Sequence, residues 1–506
     1  MVTSRGLIRT VLTLAAATMV ILVLPAAAME ILDQLPDPDS APPDLTRPVK
    51  VYILAGQSNM LHMGNISAGE SGARIYRESD QPDARYAANV SLYKGKYSPE
   101  KDYDNMEPVV TELFNVLGGC RDAKSAEQLS TIDGDFTRIA TGFLEVPQTG
   151  TYSFYPGNGT NSIMTVDGKQ TYRKEPSQEE MSKTYIKLEG GKKYPFKAIS
   201  LDGKISPHWR YHRKDTPGTL NMLVKEKGKF PYLLGKDGNW VERDDVFYQE
   251  ARLNGAWNWD PNNPNKMLLD EAKLKASCKP LTVESNGIWV GVPFGFHLGD
   301  YYDEQVLLIR TAMGNRALAW DFRPPSSGKL PDIREDLKKW EGLEYRLMVE
   351  GVRKTLDNIA TILPNYKGQG YEIAGFCWFQ GHKDSGKQEW TDEYESNLVN
   401  LIKDVRGEFK VPKLPVVVAT VGFGGKDMKG RFLQILEAQM AVSDPVKYPD
   451  FAGNVLTVDT RDFWRGKEVS PNQRQDYHYF RNAETYMLVG DALGRGMVNL
   501  IDKRNK

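Results

Sequence analysis

Cysteine is scarce in this chain. Cys120, Cys278 and Cys377 are scattered over 506 residues with no short paired spacing, so neither a zinc cage nor a disulfide framework can be read from them, and at most one bridge can form. An excess of either charge is missing too. Lys and Arg total 65 against 66 Asp and Glu, a formal charge of -1, which leaves no basic field to draw the chain to nucleic acid or anionic lipid. A neutral or weakly charged substrate fits better. Histidine is limited to six residues, so a base for proton transfer has few candidates. What is present is globular: 40% hydrophobic and 26% charged residues, and enough length for two or more domains.

The N-terminus bears on the compartment. Arg5 and Arg9 precede an apolar run from Val11 to Leu24, followed by Pro25 and the small residues Ala26, Ala27 and Ala28. This pattern predicts a cleaved export signal over 1–28, because the run is short of the roughly 18 to 20 apolar residues of a membrane span. The mature protein is then expected in the periplasm or outside the cell, with no stable membrane insertion. Residues 29–48 follow as a linker, with five prolines between Leu35 and Pro48.

From Val49 onward, short apolar runs alternate with amphipathic stretches. Val49 to Ala55, Gln305 to Ile309, Tyr371 to Phe379, Pro415 to Val421 and Asn454 to Val458 predict buried strands. Leu347 to Leu363, Tyr394 to Val405 and Tyr486 to Ile501 predict helices. The alternation predicts an α/β fold, a parallel sheet covered by helices on both faces, with the chemistry at the carboxyl ends of its strands. A block at 77–215 reads differently, with six short strands separated by turn residues such as Asp167-Gly168 and Glu189-Gly190-Gly191. It predicts an antiparallel β-sandwich inserted between 49–76 and 216–506 of the α/β domain.

The most informative residues follow the first strand: Gly56, Gln57, Ser58, Asn59 and Met60. Ser58 has either a nucleophile's address or that of a helix N-cap. The G-x-S-x-G elbow is absent, since Met60 replaces its second glycine. Among candidate bases, His208 and His212 lack an acidic third ligand and make a weak zinc motif, and His62 and His297 fit polar core or rim. His382 lies just past a strand end and competes with His478, which precedes Asn482, a residue that reads as the N-cap of the last helix. Gly422 to Lys426 is not a phosphate loop, because Thr420 and Asp427 occupy positions that need Gly and Ser or Thr. It reads as a rim loop.

Four ordered blocks carry a resemblance: Val51 to Met60 (VYILAGQSNM), Ala312 to Asn315 leading to Asp321 to Ser326, Trp378 to Gly381 (WFQG), and His478 to Tyr486 (HYFRNAETY). Together they resemble the sialate O-acetylesterase-like branch of the SGNH hydrolases. The block at 77–215, with GFLEVPQTGTYSFY and KLEGGKKYPF, resembles a protective-antigen-type β-sandwich. The resemblance implies a three-layer, flavodoxin-like α/β fold and ester hydrolysis through an acyl-serine, without metal or cofactor. Ser58 would be the nucleophile and His478 the base. The oxyanion hole would be built from the Ser58 and Gly314 backbone N–H groups and the Gln380 side chain. The sequence departs from the family's Asp three residues before the His, where Gln475 stands. Asp476 is favoured as the acid, with Asp384 or a backbone carbonyl as alternatives. Gln57, Asn59, Asn315, Trp320, Arg323, His382 and Asp384 are candidates for the substrate site, while Trp257 and Trp259 fit core.

The function these readings imply is an exported bacterial esterase that removes O-acetyl groups from a polysaccharide or glycan, which the inserted sandwich binds or positions. A glycan-binding protein with a relic site, and a secreted lipase or thioesterase of the same fold, are the alternatives. The oligomeric state is not legible.

Overall fold

The computed structural model describes residues 41–67, 70–71, 74–80, 87–115, 134–146, 149–156, 161–176, 182–201, 209–213, 216–253, 255–330, 334–472 and 474–505. The signal-peptide reading, His208 and Cys120 lie outside the described residues. Cys278 and Cys377 carry free thiols.

The core is a seven-stranded sheet. Six strands run parallel: Val49–Gly56 (β1), Val246–Glu250 (β2), Val306–Ala312 (β3), Tyr371–Phe379 (β4), Val416–Ala419 (β5) and Val455–Val458 (β6). Their order is 2-3-1-4-5-6, and Lys279–Pro280 pairs antiparallel with β2 at the edge. β1, β3 and β5 are apolar and buried along nearly their whole length, as strands inside a parallel sheet must be. Taken in chain order, the five strands β1, β3, β4, β5 and β6 follow the 2-1-3-4-5 order of a flavodoxin-like sheet, and β2 adds one more parallel strand beyond β3.

This order positions the site. The chain leaves β1 toward β2 and β3 on one side, then crosses to β4, β5 and β6 on the other, so strand order reverses at β1. The crevice at the carboxyl end of such a strand is where open α/β sheets hold ligands.

Five longer helices support the sheet: Gly291–Tyr301 (α1), Leu343–Asp357 (α2), Tyr394–Glu408 (α3), Arg431–Ala441 (α4) and Ala483–Asn505 (α5). α1 and α5 pack closely on each other, α2 packs on β3, and α3 on α4. Glycine enables the first contact, since a Cβ at Gly490 would stand 2.2 Å from the Val290 carbonyl oxygen.

Between Glu70–Ser71 and Trp209–Arg213 the described strands form an antiparallel eight-stranded sheet and a four-stranded one. Side chains from both sheets, among them Val90, Leu144, Tyr152, Phe154 and Phe196, form one apolar cluster. The two sheets therefore share a core, as in a β-sandwich.

Candidate functional site

β1 ends at Gly56 with φ 150°, and a Cβ there would lie 2.1 Å from the Phe379 carbonyl oxygen of β4. Only glycine lets the chain turn out of the sheet at this point. The turn leads into a single 3-10 turn, Ser58–Met60, whose Ser58 is 7% exposed. Ser58 is not the cap of this turn, a position that falls to Gln57. Its Oγ instead lies 2.9 Å from Nε2 of His478.

His478 sits in an irregular segment, Asp476–Arg481, in which Tyr479, Phe480 and Arg481 all have positive φ, at 50°, 50° and 58°. Left-handed backbone at three consecutive bulky residues is costly and persists only where surrounding contacts impose it. Those contacts are present. Asn59 Nδ2 donates to the Tyr477 carbonyl at 3.1 Å, and the Tyr486 hydroxyl donates to Asn59 Oδ1 at 2.8 Å and lies 3.1 Å from the His478 carbonyl. The Gly422 N–H donates to the Tyr479 hydroxyl at 3.1 Å, so the loop read as a rim braces the histidine segment. Asn482 accepts from the Glu484 N–H at 2.9 Å and caps α5, as expected.

Burial, then the Arg481 and His382 charges, lower the His478 pKa to about 4. The imidazole is therefore neutral at pH 7, the state a proton acceptor needs. His382 is also pulled below its ordinary value, chiefly by burial. Its ring packs among Phe423, Phe432 and Tyr477 at 5.6, 5.7 and 5.2 Å, so it walls the site and makes no contact with Ser58.

Gly314 arrives from the loop after β3. A Cβ on it would be 3.9 Å from that of Ser58, and the Met313 N–H donates to the Gly56 carbonyl at 3.2 Å. The backbone at Gly314 thus lies alongside the hydroxyl.

Several residues named from the sequence have other partners in the structure. Gln380 was expected to offer its amide to an oxyanion, but Nε2 contacts Asp384 Oδ2 at 2.6 Å, the Arg316 carbonyl at 2.9 Å and Gln57 Oε1 at 3.2 Å. With two N–H bonds and three acceptors, it has none to spare. The Asp476 carboxylate makes no hydrogen bond to the His478 ring; Oδ1 accepts from the Tyr477 N–H at 2.9 Å. His478 Nδ1 is buried and meets no hydrogen-bond partner among the described residues. Asp384 is equally removed from His478: fully buried, with its pKa raised to about 6 by that burial, it accepts from the Leu318 and Ala319 N–H groups at 2.9 and 2.8 Å. It ties the turn after β4 to the loop after β3.

Other expected substrate contacts are also scaffold. Gln57 is buried, with Oε1 facing the Gly381 and Lys383 N–H groups as well as Gln380. Asn59 holds the histidine segment. Arg323 is buried, paired with Glu393 at 2.9 Å and donating to the carbonyls of Gly328, Ser327 and Ala319. Asn315 is exposed at φ 57°, and Trp320 is half-buried in a cleft. His62 lies between Arg310 and Glu284, and His297 pairs with Asp491. Sequence reasoning gave no role to Tyr477, Tyr486 and Arg316, although Tyr477 and Arg316 lie within two residues of His478 and Gly314, nor to Trp340 and Trp390, which share a cleft with Arg316. Among the described residues no group of three or more His, Cys, Asp or Glu could hold a metal ion.

Residues 249–481 match the family described as carbohydrate esterase, sialic acid-specific acetylesterase, and residues 118–200 match the PA14 domain. The first match takes in Gly314, Gln380 and His478, whereas Ser58 precedes it, on the far side of the inserted strands. The chain is 23% identical over 239 residues to a probable carbohydrate esterase of Arabidopsis thaliana, covering 46% of this chain and 78% of that protein. Among solved structures, a carbohydrate acetylesterase from Xanthomonas citri is 13% identical, with 71% of this chain and 70% of that one covered and a TM-score of 0.33. NanS is 13% identical over 53% of this chain and 90% of its own, also at 0.33. The family match and the Arabidopsis relative support an esterase related to the carbohydrate esterases, with a PA14 domain in the same chain.

Proposed function

We propose that this protein is an exported esterase of the SGNH type that removes O-acetyl groups from a glycan through an acetyl-serine at Ser58. The observation that carries the reading is the 2.9 Å contact between Ser58 Oγ and His478 Nε2 at the carboxyl end of β1, where the strand order reverses. The neutral imidazole takes the Ser58 proton as Oγ attacks the acetyl carbonyl. The Ser58 and Gly314 backbone N–H groups supply the charge stabilisation that such intermediates need. His478 then returns the proton to the departing sugar oxygen, leaving acetyl-Ser58. Water, deprotonated by the same imidazole, attacks the acyl carbon and releases acetate and the free hydroxyl.

In this reading 1–28 is a cleaved export signal, 29–48 a linker, and 77–215 a sandwich that holds or positions the sugar chain within the esterase domain of 49–76 and 216–506. Turnover of p-nitrophenyl acetate by the mature protein, beside Ser58→Ala and His478→Ala, tests the chemistry. Acetate release from acetylated glycans then tests the substrate. Loss of turnover in both variants is expected, and full turnover in Ser58→Ala would overturn the proposal.

One observation favours a second reading, a glycan-binding protein with a relic site: His478 Nδ1 lacks the acceptor that would steady an imidazolium. Under that reading, no acetyl ester turns over and Ser58→Ala binds glycan as tightly as the parent.

A further inference from the structure

The loop that brings Gly314 beside Ser58 continues into a cleft of about 580 Å³ whose walls carry three tryptophans, Trp320, Trp340 and Trp390. Arg316, two residues past Gly314, lines it, and its carbonyl accepts from Gln380. Lys387 and Trp390 follow the Gln380 to Asp384 turn. Two of the three segments that line the cleft therefore extend from the loops that frame the Ser58 site, and the third, with Leu337, Trp340, Leu343 and Glu344, comes from the start of α2 and the turn before it.

Trp340 is 38% exposed, yet its ring is held in place. It meets Trp259 edge-on at 5.0 Å, and the Lys339 ammonium lies 4.8 Å from the centre of the Trp259 ring. Trp390 carries the Lys387 ammonium 4.4 Å above its ring. Each indole is thus fixed at the surface by its neighbours, with a lysine ammonium near its ring.

Part of the cleft wall is made of paired charges, beside the Lys387 ammonium that lies over Trp390. Arg316 Nε lies 3.0 Å from Glu344 and 3.6 Å from Asp321, and Glu344 is paired again by Arg252 at 2.7 Å. Ion pairs of this kind offer hydrogen-bond donors and acceptors of both kinds, which suits hydroxyl groups. A fatty chain would desolvate the same charges and offer them no hydrogen bond. Apolar ring faces edged by hydroxyls match this surface on both counts.

We propose that the cleft binds a neutral pyranose ring of the glycan chain next to the acetylated sugar, with Trp340 and Trp390 as the specificity-determining residues. The proposal rests on the esterase reading above. It explains why Trp259, outside the cleft, braces Trp340.

The test compares parent, Trp340→Ala, Trp390→Ala and Trp340→Phe on two substrates, acetylated xylo-oligosaccharide and p-nitrophenyl acetate, which has no sugar ring. Each alanine variant is expected to lower the ratio of oligosaccharide to p-nitrophenyl acetate kcat/KM roughly tenfold, mainly through KM, as loss of one aromatic contact would. Trp340→Phe is expected to recover part of it. Quenching of tryptophan fluorescence by unacetylated xylo-oligosaccharide in the Ser58→Ala protein, weakened in the cleft variants, gives a readout independent of turnover. An unchanged ratio, equal loss on both substrates, or no oligosaccharide binding would overturn the proposal. Turnover surviving Ser58→Ala would overturn the acetyl-serine mechanism instead, leaving the fluorescence result to judge the cleft.

Discussion

The acid limb of the pH-rate profile follows from the burial of His478. The folded protein holds this imidazole at about 4, first by burial and then by the Arg481 and His382 charges. Lowering moves the limb to more acid pH, because the neutral form that accepts the Ser58 proton persists there. Near pH 5.5, an imidazole titrating at 6.5 is about 90% protonated, while one titrating at about 4 is roughly 97% neutral, a difference of about tenfold in competent enzyme. The assay is kcat/KM for p-nitrophenyl acetate from about pH 3.5 to 8, with circular dichroism at each point to confirm that the protein stays folded. A limb centred near pH 4 is expected, moving toward neutral pH in Arg481→Gln, which removes the second cause. A limb between pH 6 and 7, unmoved by Arg481→Gln, would refute the reasoning, since neither burial nor that guanidinium would then govern the base.

Asp476→Asn is expected to change kcat for p-nitrophenyl acetate by less than about twofold, because the carboxylate makes no hydrogen bond to the His478 ring; loss of a working triad acid would cost on the order of 10⁴. Gly56→Ala is expected to destabilise the protein by about 3 kcal/mol or more in urea unfolding, since its Cβ would fall 2.1 Å from the Phe379 carbonyl oxygen at φ 150°. A variant as stable as the parent would show that β1 and β4 can separate at that point.

The central strands were legible where burial on both faces made a run continuously apolar, as at Val51 to Ala55 in β1 and Val306 to Ile309 in β3. β2 was missed for a physical reason. Its five residues are all buried, yet Gln249 and Glu250 are among them, and periodicity marks such residues as surface. Each has a partner inside the fold: Gln249 Nε2 donates to the Leu274 carbonyl and Ser277, and Glu250 Oε2 accepts from Arg310. The Ser58 and His478 pairing could be anticipated because each stands at a recognisable structural address, the end of a first strand and the approach to a capped helix. The partners of Gln380 could not. A glutamine after a strand reads as a donor to substrate until the fold places a buried Asp384 four residues on to claim its N–H groups. Trp340 and Trp390 lay outside every predicted element, fifty residues apart, and only tertiary folding brings them to one cleft.

The most direct measurement is mass spectrometry of the mature protein after treatment with a fluorophosphonate, a reagent that captures an activated serine, followed by peptide mapping. A single adduct on the peptide containing Ser58, lost in His478→Ala, is the expected result. An unmodified Ser58 in protein that still turns over p-nitrophenyl acetate would contradict the serine mechanism outright.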